Sequence, residues 1–136
     1  MSLFEREIVV SFGDCDPAGI VYYPNFFRWM DGTFHAYLKA RSEGHKAICE
    51  EIGARGLGLM DAKMTFRSPA ADGDVVRYAM TEIAWSGKSF DIVYEVTSAG
   101  RLVLEGFERR GVFVDRNGRL AAGSTAPLRS LLEGPG

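Results

Sequence analysis

Two periods divide the chain. In one stretch of the first half, apolar residues recur every three or four positions, and in most of the second half they alternate with polar ones. Residues 5–12 carry Ile8, Val9 and Val10 and predict a first strand that stops at Gly13. Residues 13–19 read Gly-Asp-Cys-Asp-Pro-Ala-Gly, dense in turn formers, and predict a short loop. Beyond it Phe26, Met30, Thr33 and Tyr37 keep helical spacing, and Phe27, Phe34 and Leu38 widen the same face. That spacing predicts a mostly buried helix over 25–40, begun by Asn25 as a cap or by Pro24 as an early helical residue. A second short helix is expected over 46–52, and Gly53, Gly56 and Gly58 then read as breaks.

The rest predicts strands. Met60, Ala62, Met64 and Phe66 alternate with Asp61, Lys63, Thr65 and Arg67, and Ser68-Pro69 ends the run. Asp72-Gly73-Asp74 makes a turn, and strands follow over 75–85 and 88–97, joined by a hairpin at Ser86-Gly87. Ser98-Ala99-Gly100 turns the chain into a last long strand over 101–115, in which Gly106 or Gly111 would mark a bulge. Asn117-Gly118 signals a type I′ turn, and 125–132 a terminal helix. A strand, a loop, one long apolar helix and then four antiparallel strands joined by hairpins is an α+β order. So much apolar surface on one helix calls for a sheet curved around it, in a single domain over residues 1–136.

Composition narrows the partners. The chain is 46% apolar and 25% charged with a formal net charge of −2, an ordinary globular balance. The acidic total argues against a nucleic-acid surface, and Arg109-Arg110 reads as a solvated strand end rather than a basic stripe. Cys15 and Cys49 form no disulfide framework and no ligand spacing. Residues 1–6 lack a leader pattern, and no apolar run is long enough to span a membrane. The expectation is a reduced, cytoplasmic protein with no metal, no membrane and no nucleic-acid partner.

The candidate chemistry concentrates in the loop before the helix. Asp14 and Asp16 lie two residues apart, among glycines that allow close backbone approach. A helix start offers free N–H groups that can stabilise an oxyanion, while a carboxylate beside it can attack an acyl carbon or activate water. Thioester hydrolysis needs those two elements. The plainer reading of an Asp in such a loop is an Asx turn or a cap. His35 and His45 belong to no H-E-x-x-H pattern, and no G-x-S-x-G is present. Cys15 reads as a small buried residue, and Gly53-x-x-Gly56-x-Gly58 is not a dinucleotide loop.

The run Phe12-Gly13-Asp14-Cys15-Asp16-Pro17-Ala18-Gly19-Ile20-Val21-Tyr22-Tyr23-Pro24-Asn25, continuing to Asp31, resembles the signature of the 4-hydroxybenzoyl-CoA thioesterase family. Trp85 followed by Lys88-Ser89-Phe90 is similar to that family's fourth-strand region. The resemblance implies a hotdog fold, with an antiparallel sheet of about five strands wrapped around one long helix. It implies acyl-CoA hydrolysis with no cofactor, CoA being part of the substrate. In that resemblance Asp16 corresponds to the catalytic carboxylate, as nucleophile or general base. Tyr23 supplies the oxyanion-hole N–H, and Gly19 shapes the turn. Asp31 would contact a hydroxyl of an aromatic acyl group, and Lys88 and Ser89 would meet the CoA phosphates. The resemblance further implies a homodimer or homotetramer whose sites draw on both subunits.

Two departures bear on substrate. Ser86-Gly87 stands where the family carries a basic cluster, so Arg77, Arg101, Arg109 or Arg110 would have to compensate. Gly32-Thr33-Phe34-His35 after Asp31 leaves the acyl pocket open, and Asp31 reads equally as a solvent-facing helix residue. The alternatives are a thioesterase for aliphatic or carrier-protein acyl groups, and a non-catalytic acyl-CoA-binding hotdog domain. A carrier protein, being acidic, would need a basic rim; a mere binder would not need Asp16, Gly19 and Tyr23 together.

Overall fold

The computed structural model of the protein describes residues 2–134. Its elements are β1 (Phe4–Val9), a 3-10 turn (Phe12–Asp14), α1 (Pro24–Arg41), α2 (His45–Ile52), β2 (Gly56–Phe66), β3 (Val75–Trp85), β4 (Phe90–Ser98), β5 (Arg101–Arg116), β6 (Arg119–Gly123) and α3 (Ala126–Glu133). The strands form one antiparallel sheet in the order β1-β3-β4-β5-β2, with β6 folding back to pair with the far end of β5. The sheet curls around α1, which is the hotdog arrangement. Among the described residues no helix is long and apolar enough to cross a membrane.

α1 buries Phe26, Trp29, Met30, Thr33, Phe34, Tyr37 and Leu38, the wide stripe its spacing predicts, although Phe27 stays half-buried. Each large apolar side chain buried there contributes about 1.5–3 kcal/mol. Opposite them stand Val76, Tyr78, Met80, Phe90, Ile92, Tyr94, Val96 and Leu104, all fully buried. The Tyr78 hydroxyl donates to the Phe26 carbonyl at 2.8 Å, fixing the height of the helix over the sheet. Arg6 crosses from β1 to donate to Thr33 Oγ1 at 2.9 Å and to the Trp29 carbonyl at 3.0 Å. Its guanidinium passes where a side chain on Gly32 would stand.

The sheet departs from the sequence-based expectations in four ways. β2 begins at Gly56, so Gly56 and Gly58 lie inside a strand. The ring of Phe113 lies across Gly58, where a β-carbon would clash with Phe113 Cε2. β2 and β3 are not a hairpin: β2 pairs with β5 at one edge while β3 pairs with β1 and β4, so residues 67–74 cross over. The register shifts fall at Met60, Thr81 and Val103, and neither Gly106 nor Gly111 makes a bulge. Finally, Arg110 is not at a solvated strand end. It is 2% exposed, mid-strand, beneath α1.

Candidate active site

The loop between β1 and α1 folds back on itself. Asp16 N–H donates to the Ile20 carbonyl at 2.9 Å, Tyr22 N–H donates to the Asp14 carbonyl at 2.9 Å, and Cys15 and Val21 form a bridge between these pairs. Gly19 closes the tip at φ +83°, a left-handed conformation that nothing but a glycine adopts cheaply. Val10 N–H donates to the Asp74 carbonyl, Gly73 N–H to the Val10 carbonyl and Val21 N–H to the Ala70 carbonyl, each at 2.8 Å, which ties the loop and its approach to the segment entering β3.

The two carboxylates of the loop have different work. Asp14 Oδ2 accepts both the N–H and the hydroxyl of Ser11 at 2.9 Å, and Asp14 Oδ1 lies 3.9 Å from Arg28. Asp14 therefore holds the loop together. Asp16 Oδ1 accepts the Ala18 N–H at 2.8 Å, an Asx turn, so the plainer reading is present too. Its Oδ2 has no protein partner among the described residues. Asp16, Cys15, Gly19, Phe12, Pro17 and Asp72 line an open recess of about 410 Å³. Cys15 is half-buried rather than buried.

Tyr23 precedes the first turn of α1 and has helical dihedrals, φ −56° and ψ −32°. Pro24 has no N–H. The N–H groups of Asn25 and Phe26 donate to the Tyr22 and Tyr23 carbonyls at 2.9 and 3.0 Å. This leaves the Tyr23 N–H, at the positive end of an 18-residue helix, with no acceptor among the described residues. Asn25 does not cap the helix; its Nδ2 donates to the Asp14 carbonyl at 2.9 Å, fastening the helix start to the loop. Tyr23 lines a second, mainly apolar recess of about 330 Å³ with Val21, Phe26, Phe66, Pro69 and Ala70. Asp16 and Tyr23 thus line two different open recesses, not one closed pocket.

Lys88 and Ser89 lie elsewhere. They form the β3–β4 hairpin, with Lys88 exposed and Ser89 half-buried, and α3 holds the hairpin through Thr125, whose N–H donates to the Gly87 carbonyl at 3.0 Å. β3 has 11 residues between the loop-bearing end and this hairpin, roughly 30 Å along the strand. Asp31 is tied to β5. Its Oδ1 meets Arg110 Nη2 at 2.8 Å, and Arg110 is paired across the sheet with Phe90, the residue after Ser89.

The four arginines expected to supplement Lys88 are all engaged. Arg77 pairs with Glu5 and Glu7 at 3.4 and 3.3 Å, Arg101 with Asp74 at 3.3 Å, and Arg109 with both oxygens of Asp91 at 2.8 and 3.0 Å. Arg110 is held by Glu108 and Asp31. Burial alone would pull the Arg110 pKa down, but the carboxylates of Glu108 and Asp31 leave it raised. Tyr94, whose hydroxyl donates to Glu108 at 2.7 Å, is pushed well up, by burial first and by Glu108 second. Sequence reading missed this cluster. The signal was in the period of two, which puts Glu108 and Arg110 on the face of Leu104 and Val112.

Comparison with known proteins agrees with this layout. The model of the thioesterase-like superfamily matches residues 10–130. The 4-hydroxybenzoyl-CoA thioesterase of Pseudomonas sp. (strain CBS-3) is 34% identical over 82 residues, 60% of this chain and 58% of that protein's length. A 1,4-dihydroxy-2-naphthoyl-CoA hydrolase of Trichodesmium erythraeum (strain IMS101) is 31% identical over 98 residues, 71% of this chain and 68% of that one. The solved structure of the Pseudomonas enzyme superposes with a TM-score of 0.84 at 29% identity, covering 94% of this chain and 97% of that chain.

Proposed function

The chain belongs to the thioesterase-like superfamily, and from that premise we propose that it hydrolyses an aryl-CoA thioester to the free acid and CoA. Asp16 is the carboxylate at the acyl carbon, acting as nucleophile or as general base for water, and the Tyr23 N–H receives the oxyanion. Two observations carry this reading: the Tyr23 N–H at the start of α1 and the Asp16 Oδ2 on the loop before it are both without a partner among the described residues. A donor aimed at developing negative charge from a helix start is worth more once water is excluded. The aryl class is favoured because the relatives named above act on 4-hydroxybenzoyl-CoA and 1,4-dihydroxy-2-naphthoyl-CoA. Asp16 and Asp72 rim the recess, an unfavourable surface for an acidic carrier protein.

The working unit in this reading is at least a homodimer. Asp16 and Tyr23 lie near one end of β3 and Lys88 and Ser89 at the other, so one extended CoA ester meets both groups only where a second copy brings its hairpin to the loop. The edge of β2 supports the pairing: it is 11 residues long, unpaired on its outer side, and exposes Leu59, Met60 and Phe66. A bare edge of this kind normally requires a partner.

The reading is tested by following thiol release from 4-hydroxybenzoyl-CoA, benzoyl-CoA and a short aliphatic acyl-CoA, with wild type and Asp16→Asn. The aryl esters should turn over, and Asp16→Asn should lower kcat by at least about a hundredfold with the fold intact. Binding of acyl-CoA without thiol release by wild type would instead favour a binding domain.

A further inference from the structure

Away from the loop, the largest concentration of buried charge lies under the middle of α1. Glu108 is 1% and Arg110 2% exposed, on the helix-facing side of β5. Arg110 Nε donates to Glu108 Oε1 at 3.2 Å, and its Nη2 donates to Glu108 Oε2 and to Asp31 Oδ1, each at 2.8 Å. Its Nη1 donates to the Leu57 carbonyl at 3.4 Å, and the guanidinium lies 4.2 Å over the Phe34 ring. The Tyr94 hydroxyl fills the remaining direction on Glu108 Oε1. Asp31 alone carries this network outward, with its side chain 54% exposed.

Stability does not account for such a cluster. Apolar residues of the same volume in place of a buried ion pair are commonly neutral or stabilising. What they cannot do is hold Asp31. A carboxylate on an open helix face rotates freely, whereas this one is tied through Oδ1 to a planar fork that a two-point contact with Glu108 keeps in orientation. Asp31 Oδ2 is left without a hydrogen-bond partner among the described residues; His35, on the same helix, approaches Oδ1 at 3.6 Å. The formal charges of Arg110, Glu108 and Asp31 sum to minus one, so the exposed end favours a hydrogen-bond donor and disfavours an anionic substituent.

We propose that Arg110 is a positioning and specificity-determining residue: it fixes Asp31, which the family resemblance sets against a hydroxyl of the aromatic acyl group, with one carboxylate oxygen held and the other left to accept that hydrogen. This rests on the aryl-CoA reading above. Glu108 and Tyr94 serve it by keeping Arg110 in place, and the hydroxylated ester is preferred over one lacking the hydroxyl.

The test is the ratio of kcat/KM for 4-hydroxybenzoyl-CoA to that for benzoyl-CoA. It is measured in wild type, Asp31→Ala, the pair Glu108→Gln/Arg110→Met, and all three together. Changing Glu108 with Arg110 leaves no stranded buried charge. Asp31→Ala and the pair should each lower the ratio about tenfold, and the pair should have no further effect once Asp31 is Ala. A wild-type ratio retained by the pair, or an equal fall in the Asp31→Ala background, overturns the proposal, since Arg110 would then not act through Asp31. If the pair does not fold, Arg110→Lys replaces it; the lysine keeps the charge but loses the fork, and an unchanged ratio again overturns the proposal. Failure of the aryl-CoA reading is distinct, because wild type would then release no thiol from either ester.

Discussion

Met30 of α1 stands directly over Gly106 of β5: a β-carbon on that glycine would lie 2.9 Å from Met30 Sδ and 3.4 Å from Tyr94 Cβ. The close approach of helix and sheet at this point needs a residue without a side chain, which is the reason for the glycine that its sequence context suggests as a bulge.

Gly106→Val should therefore lift α1 from the sheet or force Met30, itself 1% exposed, off its rotamer. Overpacking of this kind costs about 1–3 kcal/mol. The expected result is a lower midpoint in urea unfolding with an unchanged slope. Gly106→Val combined with Met30→Ala should recover part of the loss, because the two changes share one space. An unshifted midpoint in Gly106→Val would mean that the helix is not seated here.

Much of this architecture was legible because its periods are plain. The stripe from Phe26 to Leu38 marked α1 within one residue at each end, and the alternation around Phe90 to Val96 marked β4. What the sequence concealed arose where tertiary contacts overrode local rules. Gly58 looks like a break but lies in a strand under the Phe113 ring. Glu108 and Arg110 look like solvent positions because they are charged, yet they satisfy each other under a helix. The loop motif pointed to Asp16, Gly19 and Tyr23; Asp16 and Gly19 lie on the folded-back loop, and Tyr23 lies after it at the start of α1. No sequence pattern could reveal that Lys88 and Ser89 lie at the far end of β3, since that separation follows from strand order.

His45 links α2 to β2. Its Nε2 accepts the Leu57 N–H at 3.1 Å, so the ring is in the neutral form with its proton on Nδ1. Its pKa is lowered from 6.5, first by burial, then by His35 and Arg110, with Asp31 opposing; Cys49 Sγ also faces the ring at 3.7 Å. The folded state thus binds fewer protons than the unfolded chain, and stability must rise with pH in this window. His45 contributes fully above pH 6.5, and its contribution falls as pH drops from there through the lower folded-state pKa. The ring is only partly buried, so the slope stays below the one-proton limit of about 1.4 kcal/mol per pH unit. Urea unfolding at pH 7.5 and 5.5 should show wild type losing more stability than His45→Gln. Equal losses in the two proteins would exclude this role.

The oxyanion assignment makes a demand on the backbone rather than on a side chain. Tyr23 is 59% exposed, while its N–H is the donor left over at the start of α1 among the described residues. Its φ of −56° already suits proline, so Tyr23→Pro removes that one hydrogen with little cost to the helix start. Losing one preorganised oxyanion donor typically lowers kcat by about 10²–10³-fold. Tyr23→Phe keeps the N–H and should stay within about threefold of wild type. Both variants are to be assayed by thiol release from 4-hydroxybenzoyl-CoA, with circular dichroism melts confirming that each is folded. A folded Tyr23→Pro with near-wild-type kcat would remove Tyr23 from the mechanism, and the donor would have to be sought on the partner chain. A large loss confined to Tyr23→Pro would tie the reaction to the N-terminus of α1.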